Sequence, residues 1–218
     1  MSSLPPSSAP ASGGRRPRTN RLRAAQLRYP RSLFTLTDEA LRELEAQGVR
    51  PGGRTLPPED LLVLMLEALE LDGTERVLEL GSPTAYPAAL LSALARDVVS
   101  VADSEELARR RERELLALGC HNARVIHADA AGGWPTGAPY QGIILAAGTT
   151  GVPVELVDQL DLGGRLVAPV GDADAQLLVR LHKRAAAVES ETLGACHLGM
   201  LTGPVPTPSS FPWTHPVE

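Results

Sequence analysis

The sequence is poor in cysteine, in aromatic side chains and in long apolar runs, and each shortage removes a class of protein. Cys120 and Cys196 are its only cysteines, too few for a disulfide framework and without the spacing of a zinc site. Both read as small buried residues in a reducing, cytoplasmic setting. His121, His182 and His197 are scattered and add no metal-ligand spacing, and His127 reads as a strand residue. Aromatics make up 3% of the chain, so the core has to be built from Leu, Val, Ile and Ala. No apolar run reaches the roughly 18–20 residues that a membrane span needs. The Ser/Pro/Ala-rich start, Met1–Gly14, has no continuous apolar stretch of the signal-peptide kind. Acidic side chains are missing before Ser32, where the charged residues are Arg15, Arg16, Arg18, Arg21, Arg23, Arg28 and Arg31. The remainder is acidic enough to bring the net charge to −5. A basic arm on an acidic body suits nucleic acid, an acidic partner or anionic lipid. A solubilising tail explains it more simply, and without aromatics before Tyr29 a nucleic-acid site has little support.

What is present is enough for one sizeable core in 218 residues. Residues 1–19 read as a disordered basic, Pro/Ser-rich tail, residues 20–200 as one α/β domain, and residues 201–218 as a Pro-rich C-terminal tail. Arg21–Arg28 is a short helix that stops before Pro30. Thr37 can cap a helix that Gly48 ends. Pro57 and Pro58 head a helix over Glu59–Leu71, apolar through Leu61, Leu62, Leu64, Met65, Leu66 and Leu69. Strands then alternate with helices: strands at Arg76–Leu80, Val98–Ala102, Ala123–His127, Gly142–Ala146 and Gly164–Ala168, and helices at Ala88–Ala95, Ser104–Leu118 and Pro153–Leu160. Ala175–His182 has strand period, and past Leu193 the pattern weakens. This alternation predicts a Rossmann-like, doubly wound, mostly parallel sheet with helices on both faces. Such sheets place a ligand at the carboxyl ends of the strands, at the switch in strand order. The segments after Leu80, Val101, His127 and Ala146 are therefore the candidate site.

Four stretches in this order, spanning roughly Arg54–Val170, carry a family resemblance. They are Arg76-Val-Leu-Glu-Leu-Gly81 with Tyr86; Leu118-Gly-Cys-His-Asn122 with His127-Ala-Asp129 and Gly133-Trp134-Pro135; Ala138-Pro-Tyr140 through Ala147; and Pro153, Gln159-Leu160 with Gly163-Gly-Arg-Leu-Val-Ala-Pro-Val-Gly171. Tyr29-Pro-Arg-Ser-Leu-Phe34 adds a fainter match. Together they resemble the protein-L-isoaspartate O-methyltransferase family, which uses S-adenosylmethionine to methylate damaged aspartyl residues. The resemblance implies a class I methyltransferase fold. It also implies cofactor contacts from Glu79, Gly81 and Tyr86 around the first loop, an acid at the end of the second strand, and Asp129 against the adenine.

The residues depart from that pattern at several places. The first loop has Pro83 and Ala85 at two glycine positions of Glu-x-Gly-x-Gly-x-Gly-Tyr; Pro83 fixes φ and removes a donor, and Ala85 adds a methyl group. The strand-end acid is replaced by Ala102. Asp103 follows it, and either takes the acid's place through a bend or complements the next helix's dipole. The serine of the family's substrate segment becomes Leu56, which leaves Thr55 as the one nearby hydroxyl and the sole catalytic candidate. Asp129 keeps the adenine acid without its flanking glycines, and a solvated loop aspartate is its competing reading. Two functions are consistent with these residues. One is a fold-retaining pseudoenzyme with weakened or lost methyl transfer and a binding or scaffolding role, its protein partner docking through Phe211 and Trp213 of the tail. The alternative is an active S-adenosylmethionine-dependent methyltransferase acting on isoaspartyl or related carboxylates.

Overall fold

The computed structural model describes residues 16–34 and 56–201, with only the backbone described for 16–19. The expected helix between Thr37 and Gly48, Thr55, and the tails over 1–15 and 202–218 lie outside the described residues. Helix α1 spans Arg16–Arg28; it begins at Arg16 rather than Arg21 and so takes in part of what reads as tail. Pro17 sits in its first turn, where a missing N–H costs little. A 3₁₀ turn follows at Arg31–Phe34. Helix α2, Glu59–Ala68, starts directly after Pro57-Pro58, as the sequence predicts.

The rest is strand β1 (Arg76–Leu80), helix α3 (Tyr86–Leu94), β2 (Asp97–Ala102), α4 (Glu105–Ala117), β3 (Ala123–His127), β4 (Tyr140–Leu145), α5 (Val154–Asp158), β5 (Leu160–Gly171), β6 (Gln176–Lys183) and β7 (Val188–Cys196). They form a seven-stranded sheet in the order β3-β2-β1-β4-β5-β6-β7. The β1–β2, β2–β3, β1–β4 and β4–β5 pairs are parallel; β5–β6 and β6–β7 are antiparallel. The doubly wound expectation holds, with an antiparallel extension at one edge.

Strand β1 reads as a buried run because both of its faces are covered. Val77 joins Leu22 of α1, Met65 of α2, Leu90 of α3 and Leu115 of α4 in one apolar cluster. Leu78 and Leu80 face the other way, into a cluster with Leu156 and Val157 of α5. Each such fully buried aliphatic side chain contributes about 1.5–3 kcal/mol. Two details extend the predicted elements. Strand β5 begins at Leu160 and passes through Gly163-Gly164 beside a register shift in its pairing with β4; a Cβ at Gly164 would lie 2.9 Å from the Asp161 carbonyl oxygen. Strand β7 is mostly exposed and has little apolar periodicity. It forms because β6 offers an antiparallel partner through the turn closed by Arg184 N–H and the Ala187 carbonyl, 2.8 Å. Its glutamates at 189 and 191 keep that sheet edge charged. No described helix is long and apolar enough to cross a membrane.

Asn122, just before β3, explains part of the Leu118–Asn122 stretch. Its side-chain amide donates to the carbonyls of Ser92, Ala95 and Arg96, at 2.9, 3.2 and 3.1 Å, and so closes the carboxyl end of α3. Asn122→Ala should destabilise the protein by about 1–3 kcal/mol, read as a lower urea midpoint with an unchanged slope. His182 on β6 is the described histidine whose pKa is clearly displaced. Burial lowers it, and the cations of Arg165 and Arg184 lower it further. Because its folded value lies below its unfolded value, the unfolded chain takes up the proton first. Stability is therefore full above the ordinary histidine range, about pH 6.5, and is lost as pH falls below it. His182→Gln should shrink the stability difference between pH 7.5 and 5.5 measured by denaturant unfolding.

Candidate functional site

Strand order turns around between β1 and β4, so the crevice beyond their carboxyl ends is where the fold places a ligand. The Ala146 N–H donates to the Leu80 carbonyl at 2.8 Å, which ties the two strand exits together. Gly81 opens the first turn at φ +82°, a left-handed conformation that costs other residues energy. A Cβ there would also stand 2.9 Å from the Ala147 methyl carbon. Glycine is required at this position twice over.

Pro83 and Ala85 do not disturb that geometry. Ala85 has φ −77° and ψ −1° and serves as the residue before helix α3, a conformation open to any L-residue. Its methyl group is wholly buried in the cluster with α1, α2, α3 and α4. Among the described residues, Glu70 is the non-glycine residue with positive φ, so Pro83 sits within its own permitted range. The turn is further held by Ser82 Oγ, which donates to the Thr84 carbonyl at 2.9 Å and accepts from the Thr84 N–H at 3.3 Å. The Tyr86 N–H reaches Thr84 Oγ1 at 3.3 Å.

Glu79 lies beneath the turn rather than open to the crevice. It is fully buried; Oε1 accepts from the Ser82 N–H at 3.3 Å, and Oε2 accepts from the Ser100 hydroxyl at 2.6 Å. Ser100 is its register partner on β2. The Arg111 guanidinium, from α4, pairs with the same carboxylate oxygen. Arg111 was not singled out by sequence reasoning, although a signal exists. It stands on the buried stripe of α4 with Leu107, Ala108 and Leu115, where a charged residue breaks the amphipathic pattern.

Tyr86 is directed away from the turn. Its hydroxyl donates to Glu59 Oε1 at 2.8 Å, its ring lies 5.1 Å from that of Phe34, and the Arg31 guanidinium carbon lies 5.9 Å from its centroid. Burial, then the Glu59 hydrogen bond, pushes the phenol well above its ordinary pKa, so it remains a donor. Arg31 pairs with Glu59 Oε2 at 3.3 Å and donates to the carbonyls of Pro57 at 2.5 Å and Leu56 at 3.3 Å. The faint Tyr29–Phe34 match thus supplies the clasp that fixes residues 56–59 against the end of the first loop.

The other candidates are divided. Ala102 packs into the helix-covered cluster on the Glu79 face. The chain bends at Asp103 and Ser104, which is the condition for Asp103 to take the missing acid's place. The cap of α4 is Ser104, whose Oγ accepts from the Leu107 N–H at 3.2 Å. Asp129 is exposed after β3; its Oδ1 accepts from the Ala131 N–H at 3.0 Å, leaving Oδ2 without a hydrogen bond among the described residues. Leu56 packs partly buried against the core. Thr55, Phe211 and Trp213 lie outside the described residues. No group of His, Cys, Asp and Glu able to hold a metal ion occurs among the described residues.

Residues 18–203 match the family model "Protein-L-isoaspartate(D-aspartate) O-methyltransferase". Protein-L-isoaspartate O-methyltransferase 2 of Pelobacter propionicus is 41% identical over 74% of this chain and 72% of its own length. Protein-L-isoaspartate O-methyltransferase 1 of Syntrophobacter fumaroxidans is 39% identical over 84% of this chain and 86% of its own. A solved protein-L-isoaspartate O-methyltransferase superposes with a TM-score of 0.69 at 25% identity, over 84% of this chain; this chain spans 62% of that one. A structure of that kind from Plasmodium falciparum, solved with S-adenosyl-L-homocysteine, shares the fold at a TM-score of 0.56 and 16% identity, over 85% of this chain and 98% of its own. With the switch-point turn, the Asn122 closure and the Tyr29–Phe34 clasp all falling inside the matched span, the chain belongs to the protein-L-isoaspartate(D-aspartate) O-methyltransferase family.

Proposed function

We propose that this protein is an active S-adenosylmethionine-dependent methyltransferase that esterifies isoaspartyl carboxylates in proteins or peptides. The observation that carries the reading is the backbone of the first turn. The glycine that needs a left-handed φ, Gly81, is retained, while Pro83 and Ala85 occupy positions whose conformation does not require glycine. The pseudoenzyme reading leans mainly on those two substitutions, and the backbone around Ala85 gives it no support. The names borne by relatives near 40% identity favour the same reading.

The residues present fit the cofactor. Gly81 turns the chain out of β1 at the switch point with a left-handed φ, the course that lets backbone approach a ligand at the strand ends. Asp129 offers an acceptor oxygen for an adenine amino group, and Asp103 stands in the bend at the exit of β2. When bound, S-adenosylmethionine supplies an electrophilic methyl group on a sulfonium. The protein's task is to hold a carboxylate in line with that group and to exclude water. A substrate carboxylate is already ionised near neutral pH, so no general base is needed, and Leu56 in place of a serine removes a positioning contact rather than a proton acceptor. Arg31 and Tyr86, through Glu59, fix the segment at 56–59 beside the cofactor turn.

Calorimetric titration with S-adenosylmethionine and S-adenosylhomocysteine should show saturable micromolar binding. An isoaspartyl peptide should acquire a base-labile methyl ester that its ordinary aspartyl counterpart does not. A folded sample that binds neither compound would overturn the reading. The pair Pro83→Gly with Ala85→Gly should bring no gain in affinity and should lower stability by about 1–2 kcal/mol in total, through the freer unfolded chain; a gain in affinity would locate a defect in the turn. Gly81→Ala should cost about 1–2 kcal/mol in a denaturant melt from its left-handed φ alone, and should abolish detectable cofactor binding.

A further inference from the structure

We propose that Arg111 is the positioning residue of the cofactor turn: its buried guanidinium sets the shape of Gly81–Tyr86 and thereby the affinity for the nucleoside donor. This rests on the cofactor reading of the crevice given above. Nη1 donates to the Ser82 carbonyl at 3.1 Å and to the Val101 carbonyl at 3.2 Å. Nη2 contacts Glu79 Oε2 and Ser100 Oγ. One planar group therefore joins the turn after β1 to the last residues of β2, the two segments that flank the nucleoside end of the crevice. Glu79 accepts from the Ser82 N–H while Arg111 donates to the Ser82 carbonyl. The Ser82 residue is thus gripped at both of its backbone polar groups.

Stability alone does not account for the arrangement. Arg111 and Glu79 are both fully buried, and a buried ion pair gains little over apolar residues of the same volume. Among the described residues Arg111 Nε, though buried, finds no hydrogen-bond partner, an unfavourable condition for a donor. The guanidinium is oriented to serve Ser82, Val101, Ser100 and Glu79 at the expense of its own satisfaction. Lysine cannot reproduce that fork, because a compact ammonium lacks the fixed planar spread of donors. With Ala102 at the last position of β2, the carboxylate there falls to Asp103, one residue further on, and its placement depends on the backbone that Arg111 holds at Val101.

The test compares full-length wild type, Arg111→Lys, and the double variant Glu79→Leu with Arg111→Met, which replaces the pair by apolar side chains. Affinity for S-adenosylhomocysteine is measured by calorimetry well below the melting temperature. Amide hydrogen exchange is followed at Ser82, Thr84 and Tyr86, with Val98 and Val99 in β2 as controls. Both variants should bind the probe about tenfold or more weakly, with faster exchange confined to the turn. Wild-type affinity together with unchanged turn exchange in a folded Arg111→Lys protein would overturn the proposal. So would exchange that quickens equally at the turn and at the β2 controls, since that marks a purely structural role. If the double variant does not fold, Arg111→Lys alone carries the decision. If wild type binds no probe, the cofactor reading fails by itself, and turn exchange in Arg111→Lys still decides whether Arg111 shapes the turn.

Discussion

The carboxylate of Glu79, buried at the end of the central strand β1, is the fixed point around which the crevice is arranged. Both faces of the sheet are covered there, so the charge cannot be solvated and has to be answered from within. Ser100 from the neighbouring strand, Arg111 from α4 and the Ser82 N–H from the turn answer it. Because those partners come from three separate segments, satisfying one buried charge also fixes the turn relative to β2 and to α4. Gly81 then needs its left-handed φ to lead the chain out over that charge, past Ala147.

A second set of contacts couples this centre to the amino-terminal elements. Glu59, at the start of α2, receives the Tyr86 hydroxyl, the Gln26 amide and the Arg31 guanidinium. The segment at 56–59 is thus held by Tyr86, the residue that closes the first turn. On the far side, Gln176 of β6 holds residue 198 through both polar atoms of its side-chain amide, Oε1 accepting from the Leu198 N–H and Nε2 donating to the Leu198 carbonyl, each at 2.8 Å. Gly148, just past β4, bridges to Met200. The stretch Cys196–Met200, where the sequence pattern weakens, is consequently docked beside the strand ends.

The parallel strands were legible because apolar runs of five or six residues bounded by turn signals leave few other choices, and Ser104 because an N-cap hydroxyl has a local signature. Strand β7 was not legible: its residues are half exposed and polar, and only the pairing offered by β6 makes them a strand. The weight of Pro83 and Ala85 changes with the backbone in view. A motif records which positions tolerate glycine, whereas the backbone shows which position requires it, and here that is Gly81 alone within the turn. Glu79 and Tyr86 were found as members of the site, but their side chains turn to the supporting layer, towards Arg111 and Glu59. Arg111 itself was hidden in a helix rich in arginine, where its distinction is position on the buried stripe rather than residue type.

A turn competent as built accommodates Pro83 and Ala85 and keeps the buried pair beneath it intact. A crystal structure of the protein grown with S-adenosylhomocysteine tests this most directly. The ligand is expected at the carboxyl ends of β1 and β2, with Gly81 still at positive φ, Ala85 still capping α3 and packed in the core, and Arg111 on the Ser82 carbonyl. A turn rebuilt around the ligand, or a ligand bound away from that crevice, would contradict it.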